Sequence, residues 1–91
     1  MRYKNLAIAK AEAKQLVQIM ADKGYNVPKD QYALEALESV VAMVRIADIS
    51  HKDRLAAART VLDFTMSKPE SKSTVAVKKA EDFLSELASE L

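Results

Sequence analysis

Only one glycine, Gly24, and two prolines, Pro28 and Pro69, interrupt the 91 residues of this chain. Glycine and proline are the strongest breakers of regular structure, so long uninterrupted segments remain between them. Those segments are rich in Ala, Leu, Lys and Glu, and only 5% of residues are aromatic. Such residues lose little freedom in a helix, whereas β-branched and aromatic residues favour strands. The chain therefore reads as helical, and its length suits one small cored domain.

Periodicity places the helices. Over residues 3–23, Leu6, Ala9, Ala13, Leu16, Val17 and Met20 recur at helical spacing and form one apolar stripe. Lys4, Lys10, Lys14 and Gln18 lie roughly opposite, while Ile8 and Ile19 fall to one side. Gly24 suits the left-handed position that ends such a helix. A second helix follows Pro28 and runs to about Ala47, with Asn26 or Asp30 as candidate cap. Leu34, Leu37, Val41, Val44 and Ile46 supply its buried side; Glu35, Glu38 and Arg45 are expected to point elsewhere. Ser50 and Asp53 resemble a capping box, which starts a third helix from about His51 to Met66. Pro69 stops it.

The remainder reads differently. Ser67–Thr74 is polar and without periodicity, as a linker would be. Thr74–Lys78 alternates briefly and is β-prone, predicting a short strand that pairs with another copy. Residues 79–91 form an acidic amphipathic helix, with Phe83, Leu84, Leu87 and Leu91 on one side. The expected architecture is thus all-α: a three-helix bundle or helical-hairpin core over 1–66, a linker with an oligomerisation strand over 67–78, and a C-terminal helix over 79–91.

Catalytic and metal chemistry finds little material. No cysteine is present, so no disulfide or thiolate site can form. His51 is the only histidine; it has no nucleophile at recognisable spacing and reads as a surface residue. Glu35 and Glu38 lack the histidines that usually accompany metal-binding carboxylates on helices, so a solvated face is the simpler account. Met20, Met43 and Met66 read as core fillers. One glycine cannot build a glycine-rich phosphate loop. The expectation is a non-enzyme without cofactor or metal. No apolar run approaches the roughly 20 residues that span a bilayer, and no leader is evident, so a cytoplasmic location without membrane contact is expected.

Charge is arranged in blocks that the formal net of +1 conceals. Residues 1–24 carry Arg2, Lys4, Lys10, Lys14 and Lys23 against Glu12 and Asp22. Residues 67–79 carry Lys68, Lys72, Lys78 and Lys79 against Glu70. The last twelve residues hold Glu81, Asp82, Glu86 and Glu90 with no base. Basic segments suit phosphate, and an acidic helix suits a protein partner.

Residues 32–75 carry a further pattern. Ala33-Leu34-Glu35-Ala36-Leu37 lies on the second predicted helix. After the turn, Arg54-Leu55-Ala56-Ala57-Ala58-Arg59-Thr60-Val61-Leu62-Asp63 lies on the third, and Lys68-Pro69 closes the stretch. In this order and spacing the segment resembles small terminase subunits of tailed bacteriophages and related packaging proteins, over about half the chain. Ser67 departs from the pattern, in which glycine is frequent at that place. No separate helix-turn-helix module precedes the pattern here, so phosphate contact rather than base reading is expected.

The resemblance implies a non-enzymatic, ring-forming subunit of a genome-packaging motor in the host cytoplasm. Such a subunit binds double-stranded viral DNA and recruits and regulates the large ATPase–nuclease subunit. On this view Arg2, Lys4, Lys10, Lys14, Lys68 and Lys72 are the candidates for DNA contact. Ile8, Ile19, Val75 and Val77 are candidates for the oligomer interface, and Phe83, Leu84, Glu86 and Leu87 for docking the large subunit. The alternative is a small protein–protein adaptor or inhibitor from a phage or mobile element that does not touch DNA.

Overall fold

The computed structural model describes residues 5–65 and 72–91. Among them, regular structure consists of four α-helices: α1 (Leu6–Asp22), α2 (Gln31–Arg45), α3 (His51–Phe64) and α4 (Ser73–Ala88). The helix α1 packs chiefly on α2, α2 on α3, and α3 on α4; α4 also touches α1 and α2. The bundle measures 30 × 30 × 26 Å.

Local chemistry explains where the helices begin and end. Asn5 caps α1, its side-chain oxygen accepting from the Ala7 N–H at 2.8 Å. At the other end, Gly24 takes a positive φ of 91°. Its N–H donates to the Ala21 carbonyl at 3.1 Å, and the Tyr25 N–H donates to Met20 at 3.0 Å. This bond pair is the Schellman closure, which needs a residue that tolerates the left-handed region. Asp30, not Asn26, caps α2, accepting from Ala33 N–H at 3.0 Å. Ser50 caps α3, accepting from Asp53 N–H at 3.2 Å. The acidic Asp53 then stands in the positive first turn of α3.

One core joins all four helices. Leu16, Val17 and Met20 from α1, Val41 and Val44 from α2, Ala58 and Val61 from α3, and Ala76, Ala80 and Leu84 from α4 are buried together. Each large apolar side chain so buried contributes roughly 1.5–3 kcal/mol relative to exposure.

The structure corrects two expectations here. The strand over Thr74–Lys78 is absent: these residues form the first turns of α4. Ala76, Val77, Ala80, Leu84 and Leu87 are all buried, a spacing that only a helix places on one side. Five alternating residues fit either period, and the longer helical register wins. Consequently α4 is the fourth wall of the bundle and begins before residue 79. Ser67–Ser71, most of the predicted linker, lie outside the described residues, as do Met66 and Met1–Lys4.

The second correction concerns arginine. Arg45 does not point outward; it is 5% exposed on the core side of α2. Its Nη2 donates to Glu12 Oε1 of α1 at 2.8 Å. Arg54 is likewise buried, at 7% exposure, and its Nη2 donates to the carbonyls of Ile46 and, at 3.0 Å, Ala47. Those carbonyls follow the last turn of α2, where helices leave acceptors without intrahelical donors.

Two stability measurements follow. Glu12→Gln removes the charge facing a buried guanidinium and should cost about 3 kcal/mol in urea unfolding, whereas the apolar pair Glu12→Leu/Arg45→Met should cost less. Gly24→Ala meets no atom within 4 Å of the added Cβ. Its cost is therefore backbone strain alone, about 1 kcal/mol by the same assay.

Candidate functional site

Two surfaces bring together charged side chains from separate helices. The first is a groove of about 760 Å³ between α1 and α2. Ala7, Lys10, Ala11 and Lys14 form its α1 side, a spacing that puts all four on one flank. Tyr32, Glu35, Ala36, Glu38 and Ser39 form its α2 side. Tyr32 is 82% exposed, and Ala7, Ala11 and Ala36 are exposed too. Lysines thus line one wall and carboxylates the other. Glu35 accepts a hydrogen bond from Gln31 Nε2 at 2.9 Å.

The second surface is an end of the bundle. His51 and Arg54 from the start of α3 share an open hollow with Thr74, Val77, Lys78 and Glu81 of α4. Further along, Leu62 of α3 and Thr65, its C-cap, lie beside Lys79, Asp82, Phe83, Ser85, Glu86 and Ser89. Hence α3 and α4 run in the same general direction, and their N-termini come together. Each N-terminus carries about half a positive charge from the aligned peptide dipoles. Lys52 and Lys72 are exposed at these helix starts, as is Lys78 one turn later. The first turn of α4 holds no acidic residue, and the Lys72 side chain makes no capping bond. Lys78 leans on exposed Asp82 at 3.4 Å.

The candidate residues read from the sequence separate on this framework. Arg2, Lys4 and Lys68 lie outside the described residues. Lys10 and Lys14 are exposed but face the carboxylates of α2. Lys72 belongs to the cationic end. Ile8 is exposed and Ile19 half-buried. Val75 is half-buried, and Val77 packs inside the chain's own core. Leu84 and Leu87 are buried in the same core, so they hold α4 to the bundle. Phe83 is half-buried, with its ring 5.6 Å from that of Tyr25 in an edge-on arrangement. Glu86 is exposed.

Sequence reasoning missed Lys52 and Lys78 as partners of Lys72, because nothing in the linear order says that α3 and α4 run alongside one another. It also set Glu35 and Glu38 aside as a solvated face, though they stand opposite two of the lysines expected to meet DNA. Among the described residues, no three metal-ligating side chains converge, and no helix is long and apolar enough to cross a membrane. No protein-family model matches the chain, no curated protein is similar to it, and no solved structure matches its fold.

Burial divides the C-terminal candidates experimentally. Leu84→Ala should lower stability by about 2–5 kcal/mol in a urea titration, as large-to-small core changes do. Glu86→Ala should stay within about 0.5 kcal/mol.

Proposed function

We propose that this chain is a small terminase subunit of a phage genome-packaging motor. It is a non-enzymatic, self-associating protein that binds the DNA backbone and engages the large ATPase–nuclease subunit. The resemblance over residues 32–75 supports this reading, and the fold gives that pattern a physical sense. Its Ala33–Leu37 segment lies on α2, and its Arg54–Asp63 segment lies on α3. Arg54 ties the two together through the turn.

The single observation that carries the DNA contact is the joining of the α3 and α4 N-termini with Lys52, Lys72 and Lys78. The start of α4, whose first turn holds no acidic residue, and the exposed ammonium groups of Lys52, Lys72 and Lys78 favour phosphate, against Asp53 and Glu81 at the same end. The mixed α1–α2 groove does not, because Glu35 and Glu38 repel what Lys10 and Lys14 attract. The contact is electrostatic and indifferent to sequence, so it weakens steeply with salt.

One observation favours the adaptor reading as the runner-up. Phe83, only half-buried, stands with Lys79, Asp82 and Glu86 in the α3–α4 groove, a surface suited to an amphipathic segment of another protein.

Fluorescence anisotropy with a generic duplex over a salt series tests both readings. Wild-type protein should bind at low salt. The variant Lys52→Ala/Lys72→Ala/Lys78→Ala should bind more weakly, with its salt slope reduced by about 0.9 for each phosphate that the protein no longer neutralises. Lys10→Ala/Lys14→Ala should leave the slope unchanged. Wild-type protein that fails to bind at low salt overturns the DNA reading and leaves the adaptor.

A further inference from the structure

The groove between α1 and α2 has a charge order that suits one occupant. Its lysines, Lys10 and Lys14, both come from α1; its carboxylates, Glu35 and Glu38, both come from α2. None of the four closes an ion pair among the described residues. Between the two rows, exposed Ala7, Ala11 and Ala36 present no bulk, so another pair of helices can approach closely. Tyr32, 82% exposed, supplies a rigid apolar ring beside them. Tyrosine of this kind is enriched at protein interfaces.

We propose that the same groove of a second copy of this chain occupies the site, related by a two-fold axis that runs along the groove. That operation turns the second copy over and exchanges its left and right walls. The α1 of each chain then lies over the α2 of the other. Lys10 and Lys14 of each copy face Glu35 and Glu38 of its mate, so both charge rows are matched by one operation. Such a contact is isologous, the commonest kind in soluble homodimers. Stacking α1 on α1 instead would set lysine on lysine and carboxylate on carboxylate, which charge repulsion disfavours. A phosphate backbone meets the same objection at the α2 wall.

The inference goes beyond the packaging reading, since a closed pair is not the ring that the resemblance implies, and it is measured apart from that reading because the assay holds no nucleic acid. Light scattering coupled to size exclusion, at low ionic strength, reads the mass. Wild-type protein should elute at twice the 10.1 kDa chain. Lys10→Glu/Lys14→Glu alone should elute as single chains, and so should Glu35→Lys/Glu38→Lys alone. An equimolar mixture of the two variants should regain the two-chain mass, since each then offers the charges the other lacks. Ala11→Arg should also give single chains while its far-ultraviolet circular dichroism stays that of the wild type. Wild-type protein that remains a single chain at submillimolar concentration overturns the proposal. An assembly that ignores both charge reversals overturns it as well, and so does a dissociation that mixing fails to reverse. Absence of DNA binding, with the mixing result intact, counts against the packaging reading alone.

Discussion

Arg45 and Glu12 fix the relation between the first two helices. A guanidinium removed from water loses solvation worth several kcal/mol, and the protein must return that through placed acceptors. Leucine or valine tolerates sliding along a neighbouring apolar face, but this pair does not. Moving α1 by one helical turn would carry Glu12 about 5.4 Å from Arg45 and leave a buried charge alone. The pair therefore stabilises less by its attraction than by the cost of every other register. Arg54 acts similarly on the next junction. By donating to the carbonyls of Ile46 and Ala47, it sets the angle at which the chain leaves α2 and enters α3.

Both surfaces depend on those two arginines. Lys10 and Lys14 share one groove with Glu35 and Glu38 only in the α1–α2 arrangement that Glu12 and Arg45 hold. The cationic end requires the start of α3 to sit beside the start of α4. The turn held by Arg54 positions the former, while Ala76, Val77 and Ala80 dock the latter. The buried polar groups thus specify the arrangement, and the apolar core supplies most of the stability.

Much of the bundle was legible because capping chemistry is local. Gly24, Ser50 and Asp53 act where their types and spacing placed them, and the apolar stripe of α1 is buried from Ala9 to Met20, whereas Leu6, also expected on it, is 55% exposed. Failures came where a residue's role depends on something distant. Arg45 sits on the core side of α2 amid valines, and a charge there reads as an outward residue unless Glu12 is known to arrive opposite. The segment Thr74–Lys78 spans too few residues to separate a period of 2 from one of 3.6, and only its continuity with Ala80, Leu84 and Leu87 decides. Leu84 and Leu87 read as a partner's docking surface because an amphipathic stripe does not say whose core it joins. Arg2, Lys4 and Lys68 have no structural outcome, being outside the described residues.

Charge blocks along a sequence need not become charged surfaces, and this fold shows why. The acidic C-terminal stretch is partly consumed within the chain: Glu90 pairs with Lys23 at 3.0 Å, and Asp82 with Lys78. These exposed pairs stabilise little, but they lower the field that an isolated acidic tail would project. The basic first helix is answered across its groove by carboxylates from a segment that is nearly neutral in sequence. At the end where α3 and α4 begin, Lys52 joins Lys72 and Lys78 of the basic block, with Asp53 and Glu81 at the same end. There the peptide dipoles of two helices add to lysines drawn from separate stretches. On the proposed reading, affinity for phosphate would come from how α3 and α4 lie together and from no single block of the sequence.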